Sequence, residues 1–507
     1  MRMILTASAA VVAIAACTTM APVRMSPAPV QSADSYFVKG AAAIQARIAD
    51  RGQPRAKNVI LFIGDGMGIS TITAARIYAG QSRGLDGESY QLAMEKLPYS
   101  AFSKTYTHDA QVADSAPTAV AMTAGVKSYN GSIGVTQAAN LKDCASAKTA
   151  GTTTLWEQAE AAGMATGVIS TATITHATPA ATYAETIERD WERDTSMSAA
   201  GKTAGCKDIA VQLIDWTKSN GDGFEVILGG GRANFLPDTV TDPEYADQKG
   251  RRADGRNLAD EWKGQAANRT LVTNAAGFKA FDWNSDGQIF GLFEPSHMQY
   301  DLDRRKDDEG EPTIKDMTTA AITRLLRSPN GFVLMVEGGR VDHGLHAGDA
   351  QRALGDAAAL DEAIAAAVAM TNPAETLIIV TADHSHTLAM QGYPQRGNPI
   401  LGLVKEGDKL VLAADGKPYT TLSFANGPGS VCKKQPDDKW LCERPDLTNV
   451  DTTALGFKQQ ALIPMGSETH GGEDVAIFAG GPGANLFSGT MEQNEIYHVM
   501  ARSLGFK

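Results

Sequence analysis

Cysteine is scarce in this chain, with five in 507 residues and none in a C-x-x-C pair. A thiolate metal site of the finger or ribbon type is therefore excluded. A basic stripe is missing as well. The formal net charge is −12, which argues against a nucleic-acid-binding surface, because neutralising backbone phosphates takes clustered Lys and Arg. The negative total leaves anionic substrates open, since bound cations reverse the sign of a local site. After the first residues, no apolar run approaches the roughly 20 residues that a transmembrane helix needs. What is present, 43% hydrophobic and 21% charged residues, is ordinary enzyme composition on a chain long enough for a large core.

The N-terminus reads as an export signal: Arg2, an apolar stretch from Ile4 to Ala16, then Cys17. Ile14-Ala15-Ala16-Cys17 resembles the lipobox of bacterial lipoproteins. It predicts a lipidated Cys17 and a mature chain in the periplasm or at the cell surface, anchored to a bacterial membrane, the outer one first. An ordinary signal peptide cut nearby is the alternative. Residues 1–16 are read as the signal and 17–55 as a tether or arm, in which "MAPVRMSPAPVQSADS" shows no helix or strand pattern. Residues 56–507 form the body. Export places Cys144, Cys206, Cys432 and Cys442 in an oxidising compartment. Three pairings are possible; Cys144–Cys206 and the short loop Cys432–Cys442 are expected.

Three segments end an apolar run in a carboxylate. "NVILFIGDGMG" runs from Val59 to Ile63 before Asp65, "GFVLMVEGGRVDHGLH" from Phe332 to Val336 before Glu337, and "TLIIVTADHSH" from Leu377 to Val380 before Asp383 and His384. Such short continuous runs predict strands buried on both faces, as in a parallel sheet covered by helices. "FEVILGGG" and "EDVAIFAGG" read as two more. Helical patterns over residues 317–326 and 350–370 intervene, so the expected fold is α/β. Ligands of open α/β sheets bind beyond the carboxyl ends of the strands. Asp65, Glu337 and Asp383 all fall there, which predicts one shared site rather than three helix caps.

The histidines sharpen this. In "VDHGLH", Asp342 and His346 are four apart and face the same way on a helical turn. Adjacent Asp383 and His384 reach one ion if the backbone turns there, and His470, in "ETHGGED", precedes a strand run. Imidazole and carboxylate ligands without thiolate favour zinc, while an all-oxygen set favours magnesium. "VADSAPTAVAMTAG" places Ser115 after Asp114 and before Pro117, at a helix start. Ser115 reads as a cap or as a nucleophile. The two are compatible, because helix N-termini favour phosphate and a metal activates a hydroxyl. No Ser-His-Asp arrangement is evident.

Together these strings resemble the alkaline phosphatases, from about residue 57 to 507. The matching stretches include "NVILFIGDGMG", "VADSAPTAVAMTAGVKSYNGSIGV", "THATPAATYAETIERDW", "VEGGRVDHGLH", "VTADHSH" and "ETHGGEDVAIFA". The resemblance implies a three-layer α/β/α sandwich with a large, mostly parallel central sheet. It also implies a crown-like insertion over about residues 388–465. The implied activity is hydrolysis of small phosphate monoesters through a phosphoserine, at a site with two zinc ions and one magnesium. Asp342, His346 and His470 would hold one zinc, Asp65, Asp383 and His384 the second beside Ser115, and Asp65, Thr178 and Glu337 the magnesium. Arg189, in "IERDW", would grip the phosphate oxygens. His176 and His343 stand near the metals where the commonest bacterial pattern has Asp and Lys, as in the animal-type enzymes. A fourth, calcium site would use Glu244, Phe293 (through its carbonyl), Glu294 and Glu311. The family commonly forms homodimers. A sulfatase of the same superfamily would need C/S-x-P-x-R, and "SAPTA" has Ala119 in place of the arginine.

Overall fold

The computed structural model describes residues 26–304 and 310–506; the export segment and Cys17 lie outside the described residues. The strands β1 (Asn58–Gly64), β2 (Tyr99–Lys104), β3 (Ala165–Thr173), β4 (Val226–Gly230), β5 (Arg269–Val272), β6 (Gln288–Leu292), β7 (Phe332–Gly338) and β8 (Thr376–Thr381) join two late strands, Val475–Gly480 and Thr490–Glu492, in one sheet. Across the sheet the order is β5-β6-β4-β3-β7-β1-β8, then Val475–Gly480, β2 and Thr490–Glu492. The fold is thus α/β, with a ten-stranded, mostly parallel central sheet.

Residues of β1 alternate between two apolar layers, which explains why its sequence is apolar throughout. Val59, Leu61 and Ile63 enter one core and Ile60 and Phe62 the other. One layer is roofed by helices such as Ile314–Leu325 and Ala350–Met370, the other by Ser115–Ala124, Ile209–Ser219 and Glu495–Leu504. Caps fix where these helices start. Thr313 and Asp316 form a reciprocal capping box, and the Asp349 carboxylate accepts from Arg352 N at 3.2 Å.

Register sets the site. Ile63 of β1 lies beside Glu337 of β7 and Thr381 of β8. Asp65 and Asp383, each two residues further on, therefore leave the sheet at the edge where Glu337 stands.

One expectation is corrected. "EDVAIFAGG" does form a strand, but Val475–Gly480 runs antiparallel to both β8 and β2, not with the parallel set. An apolar run reports burial on both faces and carries no direction. Residues 35–51, within the expected tether or arm, are helical. They form the helix Ser35–Arg51, whose N-cap Asp34 accepts from Tyr36 N and Phe37 N. Phe37, Ile44 and Ile48 bury in the core shared with Glu495–Leu504. Gly40 lets the helix approach closely: a Cβ there would stand 2.6 Å from His498 Cδ2. The stripe was hidden because small residues separate its few large members.

The region 388–465 is built from short strands. Leu388–Met390, Leu422–Gly427 and Ala461–Pro464 form a three-stranded sheet, and two small hairpins flank it. Cys432 and Cys442 face each other across one hairpin and are disulfide-bonded, and Cys144 is bonded to Cys206.

Two buried carboxyls beside β3 make stability depend on pH. Glu160 accepts from Thr166 Oγ1 at 2.5 Å, and Glu225 from Thr166 N at 2.7 Å. Burial, then the charge of Glu225, pushes Glu160 up to about 9. Burial pushes Glu225 up to about 7. An unfolded glutamate titrates near ~4.3, so from there to about 9 the unfolded state has released a proton that folded Glu160 keeps. Stability thus falls as pH rises through this window. Glu160→Gln should leave the melting temperature near wild type at pH 5 and raise it by several degrees at pH 9, measured by calorimetry. A difference independent of pH would refute the assignment.

Candidate active site

The chain beyond β1, β3, β7 and β8 delivers parts of one polar cluster at the carboxyl edge. After β1 the chain turns through Gly66, whose φ of 68° suits glycine. Its N–H donates to Asp383 Oδ1 at 2.9 Å, and a Cβ there would lie 2.4 Å from His386 Cδ2. After β7, the turn Arg340–His346 sets Asp342 and His346 on one side. The antiparallel direction of Val475–Gly480 has its consequence here. Its amino end lies at the carboxyl edge of the parallel strands, and His470 just before it pairs across to His386. After β3, His176 and Thr178 enter at the short helix Ala177–Ala180.

Three groups of side chains could each hold a cation: Asp342, His346, His386 and His470; Asp65, Asp342 and His384; and Asp65, His176 and Glu337. In the first, His346 Nδ1 faces the Glu468 carbonyl at 2.5 Å and His470 Nδ1 the Ala113 carbonyl at 2.7 Å. A carbonyl only accepts, so the proton of each neutral ring sits on Nδ1 and leaves Nε2 a bare lone pair. The two Nε2 atoms are 3.1 Å apart, and they lie 3.4 and 3.5 Å from Asp342 Oδ1. Three electron-rich atoms face one another, an arrangement that a cation satisfies.

The oxygens of the other two groups fit the same reading. Among the described residues, no hydrogen-bond donor reaches the buried Asp65 Oδ2 and Asp383 Oδ2, and the Thr178 hydroxyl faces the buried Glu337 carboxylate, an oxygen cluster that is costly unless a cation meets it. Asp383 Oδ2 lies 3.2 Å from His384 Nε2, and Asp383 Oδ1 is held by Gly66 N and His384 N. Burial, then the charges of Asp383, Asp342 and Glu337, push the Asp65 carboxyl well above the carboxylate range. Burial raises Asp383, and it pushes Glu337 up to about 7 against a hydrogen bond from Ser170. Asp342 behaves oppositely. Burial opposes its charge, yet the hydrogen bond from His386 and the positive charge of that ring hold it well below the usual range. The donors are oxygen and imidazole nitrogen with no thiolate, a set suited to zinc and magnesium.

Ser115 opens the buried helix Ser115–Ala124 and is itself 2% exposed. Its hydroxyl lies 3.0 Å from His384 Nε2 and 3.5 Å from Asp65 Oδ1. Arg189 arrives from a loop. One guanidinium nitrogen is bonded to the Asp114 carboxylate, and Nη2 lies 3.0 Å from His176 Nε2. His343 joins none of the three groups. Arg340 Nη1 donates to its Nδ1 at 3.0 Å, and its ring packs on His297 with centroids 4.2 Å apart.

The four residues expected at a fourth ion are drawn into one neighbourhood. Glu244 accepts from Arg232 Nη2 at 2.8 Å, Glu294 accepts from Tyr245 and Gln299, and Glu311 accepts from Gln299 N. Phe293 is fully buried beside them.

Sequence reasoning missed His386, Glu468 and the second role of Asp114. His386 Nε2 lies 2.6 Å from Asp342 Oδ1, and its Nδ1 is bonded to the Glu468 carboxylate. Glu468 therefore steadies His386 by its side chain and His346 by its carbonyl. In "DHSH" the spacing of two puts His384 and His386 on the same side of an extended chain. The signal that could have found His386 is its place in the same motif.

The sequence profile of the alkaline phosphatase family matches residues 56–506. An alkaline phosphatase of Gadus morhua is 44% identical over 452 residues, 88% of this chain and 91% of that protein. The tissue-nonspecific isozyme of Homo sapiens is 42% identical over 452 residues, 88% of this chain and 83% of its own. The crystal structure of Thermus thermophilus alkaline phosphatase, 25% identical, superimposes with a TM-score of 0.62 over 90% of this chain and 93% of that one. The chain belongs to the alkaline phosphatase family, enzymes that hydrolyse phosphoric monoesters.

Proposed function

We propose that this chain hydrolyses small phosphate monoesters by two displacements through a phosphoserine at Ser115. Asp342, His346 and His470 would hold one zinc, Asp65, Asp383 and His384 a second, and Asp65, Thr178 and Glu337 a magnesium. The observation that carries this reading is the Ser115 hydroxyl, buried at a helix start and flanked by His384 and Asp65 among unpartnered carboxylate oxygens. When bound, the ions supply Lewis-acid stabilisation of the attacking and leaving oxygens.

The chain's own residues do the rest. Ser115 Oγ attacks phosphorus as the bond to the leaving alcohol breaks, and the amides of the first helical turn favour the phosphate. Water then displaces the serine oxygen, so two inversions give net retention at phosphorus. Arg189 would grip the equatorial oxygens. Asp114 and His176 hold its guanidinium in place, so little ordering entropy remains to be lost on binding. His343, buttressed by Arg340 and His297, would line the phosphate side.

Three further readings rest on resemblance. The region around Glu244, Phe293, Glu294 and Glu311 would take a calcium ion; the support is that Tyr245 and Gln299 tie its carboxylates together. The lipobox-like Ile14-Ala15-Ala16-Cys17 supports export and anchoring through Cys17. No helix among the described residues is long and apolar enough to cross a membrane. A homodimer follows from the family.

Ser115→Ala should lower kcat/KM for p-nitrophenyl phosphate by more than about 10³-fold while zinc content by mass spectrometry stays at the wild-type level. Wild-type turnover by this variant would end the nucleophile assignment. Glu468→Ala should weaken zinc retention by about 10–100-fold in competition with a chromogenic chelator, and Glu468→Gln should recover part of it. Equal retention by all three proteins would deny Glu468 its positioning role. For the anchor, Cys17→Ser should move the protein from the membrane fraction to the soluble one, and unchanged membrane retention would count against lipidation.

A further inference from the structure

The histidines of the site differ in what fixes their rings. His346 and His470 are each set by a backbone carbonyl on Nδ1. His176 has no such anchor. Its Nε2 lies 3.0 Å from Arg189 Nη2, and its buried Nδ1 meets no hydrogen-bond partner among the described residues. A guanidinium only donates, so His176 is the acceptor in this pair. One hydrogen bond does not fix the plane of a ring.

The remaining neighbours of His176 are two other imidazoles. His297 stands edge-on to it, with centroids 5.6 Å apart and planes at 88°, and His343 lies at 5.5 Å and 71°. His297 and His343 pack on each other at 4.2 Å. The three rings close a triangle, in which edge-to-face contact sets the positive rim of one ring on the negative face of the next.

His297 ties this triangle to the scaffold. Thr173 N, at the end of β3, donates to its Nδ1 at 3.1 Å. The backbone on either side is clamped too: Gly231 N donates to the Ser296 carbonyl at 2.6 Å, and Met298 N to the Thr171 carbonyl at 3.0 Å. Gly230 permits this approach, since a Cβ there would stand 2.2 Å from the Ser296 carbonyl oxygen. His297 belongs to none of the three cation-holding groups.

We propose that His297 is a positioning residue whose ring holds His176, and through it the Arg189 guanidinium, in the orientation that meets phosphate. The inference rests on the reading of Arg189 as the phosphate grip. Asp114 anchors one guanidinium nitrogen, and His176 supplies the second point of attachment. Two points set the plane of the fork, and the second is only as firm as the ring behind it. His343 would lose the same neighbour but keeps its hydrogen bond from Arg340 at 3.0 Å, so the loss of His297 falls first on His176.

Inhibition of p-nitrophenyl phosphate turnover by inorganic phosphate, in the metal-loaded full chain, reads that orientation. His297→Ala should weaken phosphate by about five-fold or more, with zinc content by mass spectrometry at the wild-type level. His297→Phe, which keeps a ring, should recover most of the loss. His297→Asn, which keeps only an acceptor for Thr173 N, should recover little. In the Arg189→Ala background, itself weakened for phosphate, His297→Ala should cost less than about two-fold, because the group it acts through is gone. Wild-type phosphate affinity in His297→Ala, recovery by Asn but not by Phe, or an undiminished loss in the Arg189→Ala background would each overturn the proposal. If His297→Ala does not fold, the comparison of Phe with Asn decides alone. Unchanged phosphate affinity in Arg189→Ala would instead overturn the reading of Arg189, and this inference with it.

Discussion

The constraint on which the rest depends is electrostatic. Asp65, Glu337, Asp342 and Asp383 stand together at one edge of the sheet, all of them essentially removed from water. Burial and mutual repulsion raise three of the four from their ordinary values. Such a cluster opposes folding unless positive charge enters it. Cation affinity and fold are therefore linked: the sheet must be rigid enough to hold the carboxylates together, and a bound cation stabilises the arrangement that binds it.

The scaffold meets this demand through layers rather than through any one contact. β1 lies between β7 and β8 with side chains alternating into two apolar cores, so the strand ends cannot drift without disturbing both. Around the cluster, partners orient the ligand atoms. Backbone carbonyls of Glu468 and Ala113 set the ring protons of His346 and His470, and Glu468 with His386 steadies Asp342. Arg189 is held in the same manner by Asp114 and His176. Preorganisation of this kind is what electrostatic catalysis of phosphoryl transfer requires.

Much of this was legible in the chain itself. Apolar runs that stop at Asp65, Glu337 and Asp383 announce buried strands with polar ends, and the helix Ala350–Met370 falls where the pattern put it. The helix Ser35–Arg51 was not legible, because its buried stripe consists of few large residues. His386 and Glu468 were missed because their partners are 44 and 82 residues away from His386 in sequence. Local spacing carries no information about such contacts.

By itself, then, the sequence determined the residue types of the site, the strands that end in them and the helix that begins at Ser115. Those properties follow from burial, capping and spacing within a few residues. Tertiary structure decided strand direction and distant pairing. Only the antiparallel course of Val475–Gly480 carries His470 to the edge where Asp342 and His346 wait. An apolar strand is equally buried in either direction, and the neighbours that choose between them lie far away along the chain.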